Sequence, residues 1–159
     1  ATKMPEIQFV WAGNFAFKGI SEGRKEIMEH MDDLPDNVHF LGLVERDRMN
    51  EFFNMGDVML QLSFEELFPM TILESMNANI PLLLRDLLEY KPILFDYYLK
   101  ANSQQTFKDE LTKLKEDADY YAKACEGSKR GEQFYSKESI LEQWQQFYDK
   151  VATERNLLS

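Results

Sequence analysis

Short apolar runs separated by segments of helical spacing constrain this chain more than any other feature. Ile7-Gln8-Phe9-Val10-Trp11-Ala12-Gly13 is a nearly continuous apolar run ending in glycine, the pattern of a strand buried on both faces. Ile20, Ile27, Met28, Met31 and Leu34 then recur at helical spacing until Pro35-Asp36-Asn37 stops them. Val38 to Leu41 reads as a second strand closed by Gly42, with His39 expected as a partly buried structural imidazole. A weakly amphipathic helix is expected from Asp47 to Met55, ending at Gly56, and Asp57 to Ser63 is the third strand. A loop from Phe64 to Phe68, a helix from Pro69 to Ala78, a strand from Ile80 to Leu84 and a short fifth strand from Ile93 to Phe95 follow. Short apolar strands alternating with helices mean right-handed βαβ units and a parallel sheet. The expected fold class is therefore α/β: a Rossmann-like, mostly parallel sheet flanked by helices, closed by two C-terminal helices.

Those two helices are read from the tail. Leu111, Leu114, Ala118, Tyr121, Ala122 and Cys125 mark one long amphipathic helix, and Ile140, Trp144, Phe147, Tyr148 and Val151 mark another, with Ser136 as its N-cap. Cys125 lies on the apolar stripe and is expected as a buried small hydrophobe; as the single cysteine it can form no internal disulfide, which fits a reducing cytoplasm. A chain of 159 residues suffices for one compact domain. Its net charge of −10 argues against nucleic acid as a partner and against electrostatic anchoring on a membrane. The apolar runs are too short to span a bilayer, so no direct membrane insertion is expected. His30 and His39 have no partners at metal-ligand spacing, and no metal or other cofactor is expected.

Ligands of parallel sheets bind outside the carboxyl ends of the strands. That rule singles out Gly13-Asn14, Gly42-Leu43, Ser63 to Thr71, and Arg85-Asp86. Proline is favoured at the first helical position, so Pro69 is expected to open its helix with Phe68 as N-cap. Phenylalanine carries no acceptor for the free N–H groups of Met70, Thr71 and Ile72, which leaves a natural anion site, or one filled by water. Glu66 lies in the loop before this helix and Glu74 in its second turn, too far apart in sequence to form a touching dyad. With a diphosphate on the N–H groups between them, the two carboxylates would bracket a nucleotide-sugar; each alone reads more readily as a solvated surface residue.

Ser63-Phe64-Glu65-Glu66-Leu67-Phe68-Pro69-Met70-Thr71-Ile72-Leu73-Glu74-Ser75-Met76 resembles the E-x7-E signature of the retaining glycosyltransferases with the glycosyltransferase B fold, the family-4-type group. Asp36-Asn37-Val38-His39-Phe40-Leu41-Gly42, Gly56 to Ser63, Asn79-Ile80-Pro81-Leu82, and the tail from Tyr135 to Tyr148 resemble further segments of that family, in the right order. Leu62 departs from its usual proline, Leu67 and Pro69 from the two glycines flanking the phenylalanine, and Asn79 from a helix-ending glycine. The variant Glu66-Leu67-Phe68-Pro69-Met70-Thr71-Ile72-Leu73-Glu74, with Leu83-Leu84-Arg85-Asp86 after it, is most similar to bacterial enzymes that build glycosyl-diacylglycerol lipids.

The resemblance implies that residues 1–159 are a nucleotide-sugar-binding C-terminal domain, half of a glycosyltransferase B fold. They would be a fragment without the acceptor domain and without the first strand and helix of the donor domain, whose loops supply an Arg and a Lys to the diphosphate. It implies retaining transfer of a hexose from a UDP-linked nucleotide-sugar to a glycolipid acceptor held by the missing domain, without a metal, in the cytoplasm or peripherally at the inner face of the membrane. Glu66 would be catalytic, at the sugar hydroxyls near the reacting carbon. Glu74 would hold ribose hydroxyls and Met70 and Thr71 phosphate, with Phe68, Gly13, Asn14, Gly42 and Leu43 as further donor contacts. The rivals are a glycoside hydrolase using both glutamates, a receiver-like signalling domain, and a non-catalytic nucleotide-binding partner subunit.

Overall fold

The structure is a computed structural model that describes residues 1–14, 28–29 and 31–157. The chain divides into two compact units, Ala1–Phe52 and Phe53–Ser159.

In the first unit two parallel strands, β1 (Phe9–Ala12) and β2 (Val38–Gly42), pair with Phe9 against Val38 and Trp11 against Phe40. The register slips after Trp11, so that Ala12 meets Gly42. Buried Asn37 ties the amino-terminal segment to the start of β2: its side-chain nitrogen donates to the carbonyls of Met4 at 2.9 Å and Ile7 at 2.7 Å. Two expectations are corrected here. β1 is not buried on both faces, since Val10 and Trp11 are exposed, the Trp11 ring stacking on Phe40 with centroids 5.7 Å apart. His39 is exposed too, because the two-residue alternation of β2 sets it opposite to half-buried Val38 and Phe40, and its Nε2 pairs with Gln8 Oε1 at 2.7 Å. The helix expected from Ile20 to Leu34 lies mostly outside the described residues, and its end is a 3-10 turn at Met31–Asp33. The helix expected from Asp47 is a 3-10 turn, Arg46–Arg48, leading into α1 (Met49–Met55).

The second unit holds a three-stranded parallel sheet in the order β3 (Met59–Gln61), β4 (Leu82–Arg85), β5 (Leu99–Ala101). Leu82, Leu83 and Leu84 are buried, as a central parallel strand covered on both faces requires. From α2 (Met70–Asn77), Ile72 and Met76 meet Leu82, Leu84, Tyr90, Leu94 and Tyr98 in the core. β3 is shorter than expected because its ladder stops at Gln61 opposite Leu84, and the carbonyl of Leu62 accepts from the Arg85 side chain instead. Ile93 and Leu94 belong to a short helix, α3 (Lys91–Leu94), not to the expected fifth strand. Pro92 stands in its first turn, where the missing N–H costs nothing, and Leu94 is fully buried; β5 forms five residues later.

The apolar stripe from Leu111 to Cys125 is shared between two helices, α4 (Gln104–Glu116) and α5 (Ala118–Phe134). Asp117 breaks it: its backbone is extended, and its carboxylate caps α5 by accepting from Tyr120 N at 2.9 Å. α5 and α6 (Lys137–Leu157) are the two closing helices, and Ser136 Oγ caps α6 by accepting from Ser139 N at 3.2 Å. Cys125 is half-buried, and burial pushes its thiol up. Among the described residues no helix is long and apolar enough to cross a membrane.

α5 lies close on α2 where Gly131 faces it: a Cβ there would stand 2.6 Å from the end of the Met76 side chain. Buried Ser128 donates to the carbonyl of Ile80 at 2.6 Å, and a Cβ on Gly127 would stand 3.1 Å from the carbonyl oxygen of Tyr97. Backbone cannot swing aside as a side chain can. Gly127→Val is therefore expected to lower stability by about 1–3 kcal/mol, read as a fall in the urea midpoint at unchanged slope.

Candidate functional site

The candidate site of the second unit is built on the turn between β3 and α2. Pro69 does not open α2 as its first residue; it is the N-cap, extended at φ −70 and ψ 122, and the helix starts at Met70. Phe68 is correspondingly not the cap. Its ring is half-buried against the core and 5.6 Å from Tyr135, which pins the turn. A proline cap has neither a side-chain acceptor nor an N–H. The N–H of Ile72 turns back to the carbonyl of Pro69 at 3.0 Å, so among the described residues two of the three N–H groups expected to be free remain so, Met70 and Thr71. The helix dipole adds partial positive charge at the same place.

The far end of α2 is closed by a Schellman motif. Asn79 takes the left-handed conformation at φ 57, its N–H reaches Met76 O at 2.9 Å, and Ile80 N reaches Ser75 O at 3.4 Å. Asparagine thus does the work of the glycine it replaces. With both ends fixed, the faces of α2 are fixed: Ile72, Ser75 and Met76 point into the core while Glu74 is exposed.

Glu66 is placed differently. It is half-buried, and its Oε1 accepts from Gln61 Nε2 at 2.7 Å; the same amide reaches Ser63 Oγ at 2.9 Å. Tyr90 is fully buried and its hydroxyl has no hydrogen-bond partner among the described residues. That hydroxyl is pushed up to about 12, first by burial and then by the carboxylates of Glu66 and Glu89. Arg85 closes the edge of the sheet: Nε donates to Leu62 O at 3.0 Å and Nη1 to Asn102 O at 3.3 Å, and the guanidinium lies 3.9 Å from the Phe64 ring centroid. One side chain thereby links the carboxyl ends of all three strands.

In the first unit, Gly13 and Gly42 stand at the carboxyl ends of β1 and β2 with φ of 136 and 68, where a side chain would be strained. Gly13 N donates to Gly42 O at 2.7 Å, so Gly13-Asn14 and Gly42-Leu43 leave the sheet side by side, with Leu43 exposed. Glu66, Phe68, Met70, Thr71 and Glu74 are gathered around the start of α2 in the second unit. Sequence reasoning missed Gln61 and Tyr90. An amide inside an apolar strand was the available signal for Gln61, since a polar group on a buried strand needs a partner.

Residues 2–131 match the family model of the glycosyl transferases group 1. The chain is 36% identical over 152 residues to an alpha-galactosylglucosyldiacylglycerol synthase of Streptococcus pneumoniae, covering 96% of this chain and 41% of that protein. It is 27% identical over 116 residues to a processive diacylglycerol alpha-glucosyltransferase of Acholeplasma laidlawii, covering 72% of this chain and 34% of that one. The chain thus spans less than half the length of these relatives. Among solved structures it is similar in fold to the Anabaena protein HepE in complex with UDP-glucose (TM-score 0.72, 15% identity, 96% of this chain and 43% of that one). It is also similar to the sucrose-phosphate synthase of Thermosynechococcus elongatus (TM-score 0.74, 17% identity, 96% and 41%).

Proposed function

This chain belongs to the group 1 glycosyl transferases, and from that premise we propose that residues 1–159 are the donor-binding domain of a retaining enzyme that transfers a hexose from a UDP-linked nucleotide-sugar. The observation that carries the reading is the uncapped start of α2, with free N–H groups at Met70 and Thr71 and a carboxylate on either side. Diphosphate oxygens accept from those two N–H groups. Glu74 accepts from the ribose hydroxyls, and Glu66 contacts the sugar hydroxyls beside the anomeric carbon. Phe68 contributes a further donor contact within the same unit. Catalysis is then positioning together with stabilisation of the departing diphosphate. HepE was crystallised with UDP-glucose and the Streptococcus relative is named as a diacylglycerol glycolipid synthase, which favours UDP as carrier and a glycolipid as acceptor.

The acceptor would be held by a further domain of a longer parent, at the cytoplasmic face of the membrane. Trp144, Phe147 and Tyr148 on α6 are each more than half exposed, with Trp144 stacked on Tyr148 at 5.7 Å, and they offer that domain an apolar surface. A glycoside hydrolase needs two carboxylates facing one bond. Glu66 half-buried beside Gln61 and Glu74 out on α2 argue against that use. A receiver-like domain needs aspartates where this chain has Gly13-Asn14 and Ser63-Phe64.

The test is a binding panel of UDP, ADP and GDP with their hexose conjugates. UDP species are expected to bind tightest. Glu74→Gln is expected to weaken UDP about tenfold, the loss of one charge-assisted hydrogen bond, and to leave 2′,3′-dideoxy-UDP unaffected. Equal weakening of both nucleotides would remove Glu74 from the ribose.

A further inference from the structure

We propose that Gln61 is a positioning residue that fixes which oxygen of Glu66 is presented to the sugar; the inference rests on the donor-site reading above. Gln61 is the last residue of β3, and its backbone is set by the parallel ladder opposite Leu84, itself fully buried. Its side chain is therefore delivered from the rigid part of the unit into a loop that has no ladder of its own. A carboxylate only accepts hydrogen bonds, so the nitrogen of the Gln61 amide must face Glu66. The two hydrogens of that nitrogen are both engaged, one on Glu66 Oε1 at 2.7 Å and one on Ser63 Oγ at 2.9 Å. Rotating the amide would break both bonds at once, so Ser63 holds the amide and the amide holds the carboxylate.

The consequence for Glu66 is asymmetry between its oxygens. Oε1 is committed to Gln61, and Oε2 accepts no hydrogen bond from the described residues. The buried hydroxyl of Tyr90 feels the charge of Glu66 but forms no hydrogen bond among the described residues, so it does not compete for the carboxylate. A glutamate on a loop has three side-chain torsions to order before it can act on a transition state. Gln61 has ordered the carboxylate in advance, which is the preorganisation that raises turnover rather than ground-state affinity.

Two measurements test this, one on the 159-residue chain and one on a full-length parent. In the chain, the side-chain amide resonances of Gln61 are expected to move on Glu66→Gln and not on Glu74→Gln. In the parent, Gln61→Met keeps the length of the side chain and removes its donors. It is expected to lower kcat about tenfold with the donor KM within twofold, and to cause no further loss in a Glu66→Ala background. Gln61→Glu keeps shape and polarity but sets two carboxylates together, and it is expected to lose at least as much. Unchanged kcat in both variants, an equal loss with and without Glu66, or a rise in KM alone would overturn the positioning role while leaving the donor site standing. A Glu66→Ala parent that retains full turnover would overturn the reading beneath it as well.

Discussion

Glu66→Ala in a full-length parent is expected to lower kcat by about a hundredfold or more while the donor KM changes only a few-fold. On the proposed reading, the sugar would be held mainly through its nucleotide, by ribose, phosphate and base contacts that Glu66 does not make. Glu66 would, on the same reading, add a charge beside the anomeric carbon, where positive charge develops as the diphosphate departs. An interaction that strengthens along the reaction coordinate lowers the barrier more than it tightens the ground state. Gln61 already orients the carboxylate at 2.7 Å, so little of that gain is spent on ordering it during the reaction. Steady-state kinetics with varied donor separate the two quantities. A raised KM with unchanged kcat would move Glu66 from the reacting centre to the binding surface.

The second large effect is a loss of turnover by construction. The 159-residue chain on its own is expected to transfer no sugar at a detectable rate, although it still binds the nucleotide weakly. It spans 41% of the Streptococcus relative, and no acceptor site is assigned within it. Holding acceptor and donor together is worth effective concentrations of about 10⁵ M or more, and that contribution vanishes when the acceptor is free in solution. Transfer from labelled UDP-hexose, with and without the remainder of a parent protein added back, is the assay. Robust transfer by the isolated chain would mean that an acceptor site lies within these residues.

The parts of this fold that were legible in the sequence are those set by patterns repeated along the chain. The strands at Val38–Gly42 and Leu82–Arg85, the helix after Pro69 and the left-handed turn at Asn79 follow from alternation, apolar runs and turn chemistry. What was misread was settled by single local contests. Ile93-Leu94-Phe95 suits a strand or a helix equally as a short apolar run, and Pro92 in a first turn with Leu94 in the core decided for the helix. Asp117 had a continuing helix on one side and a capping role on the other, and capping won. At Pro69 the distinction between cap and first residue is one position, yet it changes which N–H groups are free. The grip of Gln61 on Glu66 is a contact between two side chains, and no periodicity announces such a contact.

The central claim is that the open start of α2, between Glu66 and Glu74, holds the diphosphate and ribose of the donor. Titrating UDP into the 159-residue chain while recording amide chemical shifts tests it most directly. The expected result is a saturable set of shifts centred on Ser63 to Thr71 and Glu74, with Met70 and Thr71 N–H moving most. No response at millimolar UDP, or shifts confined to residues away from the start of α2, would contradict it.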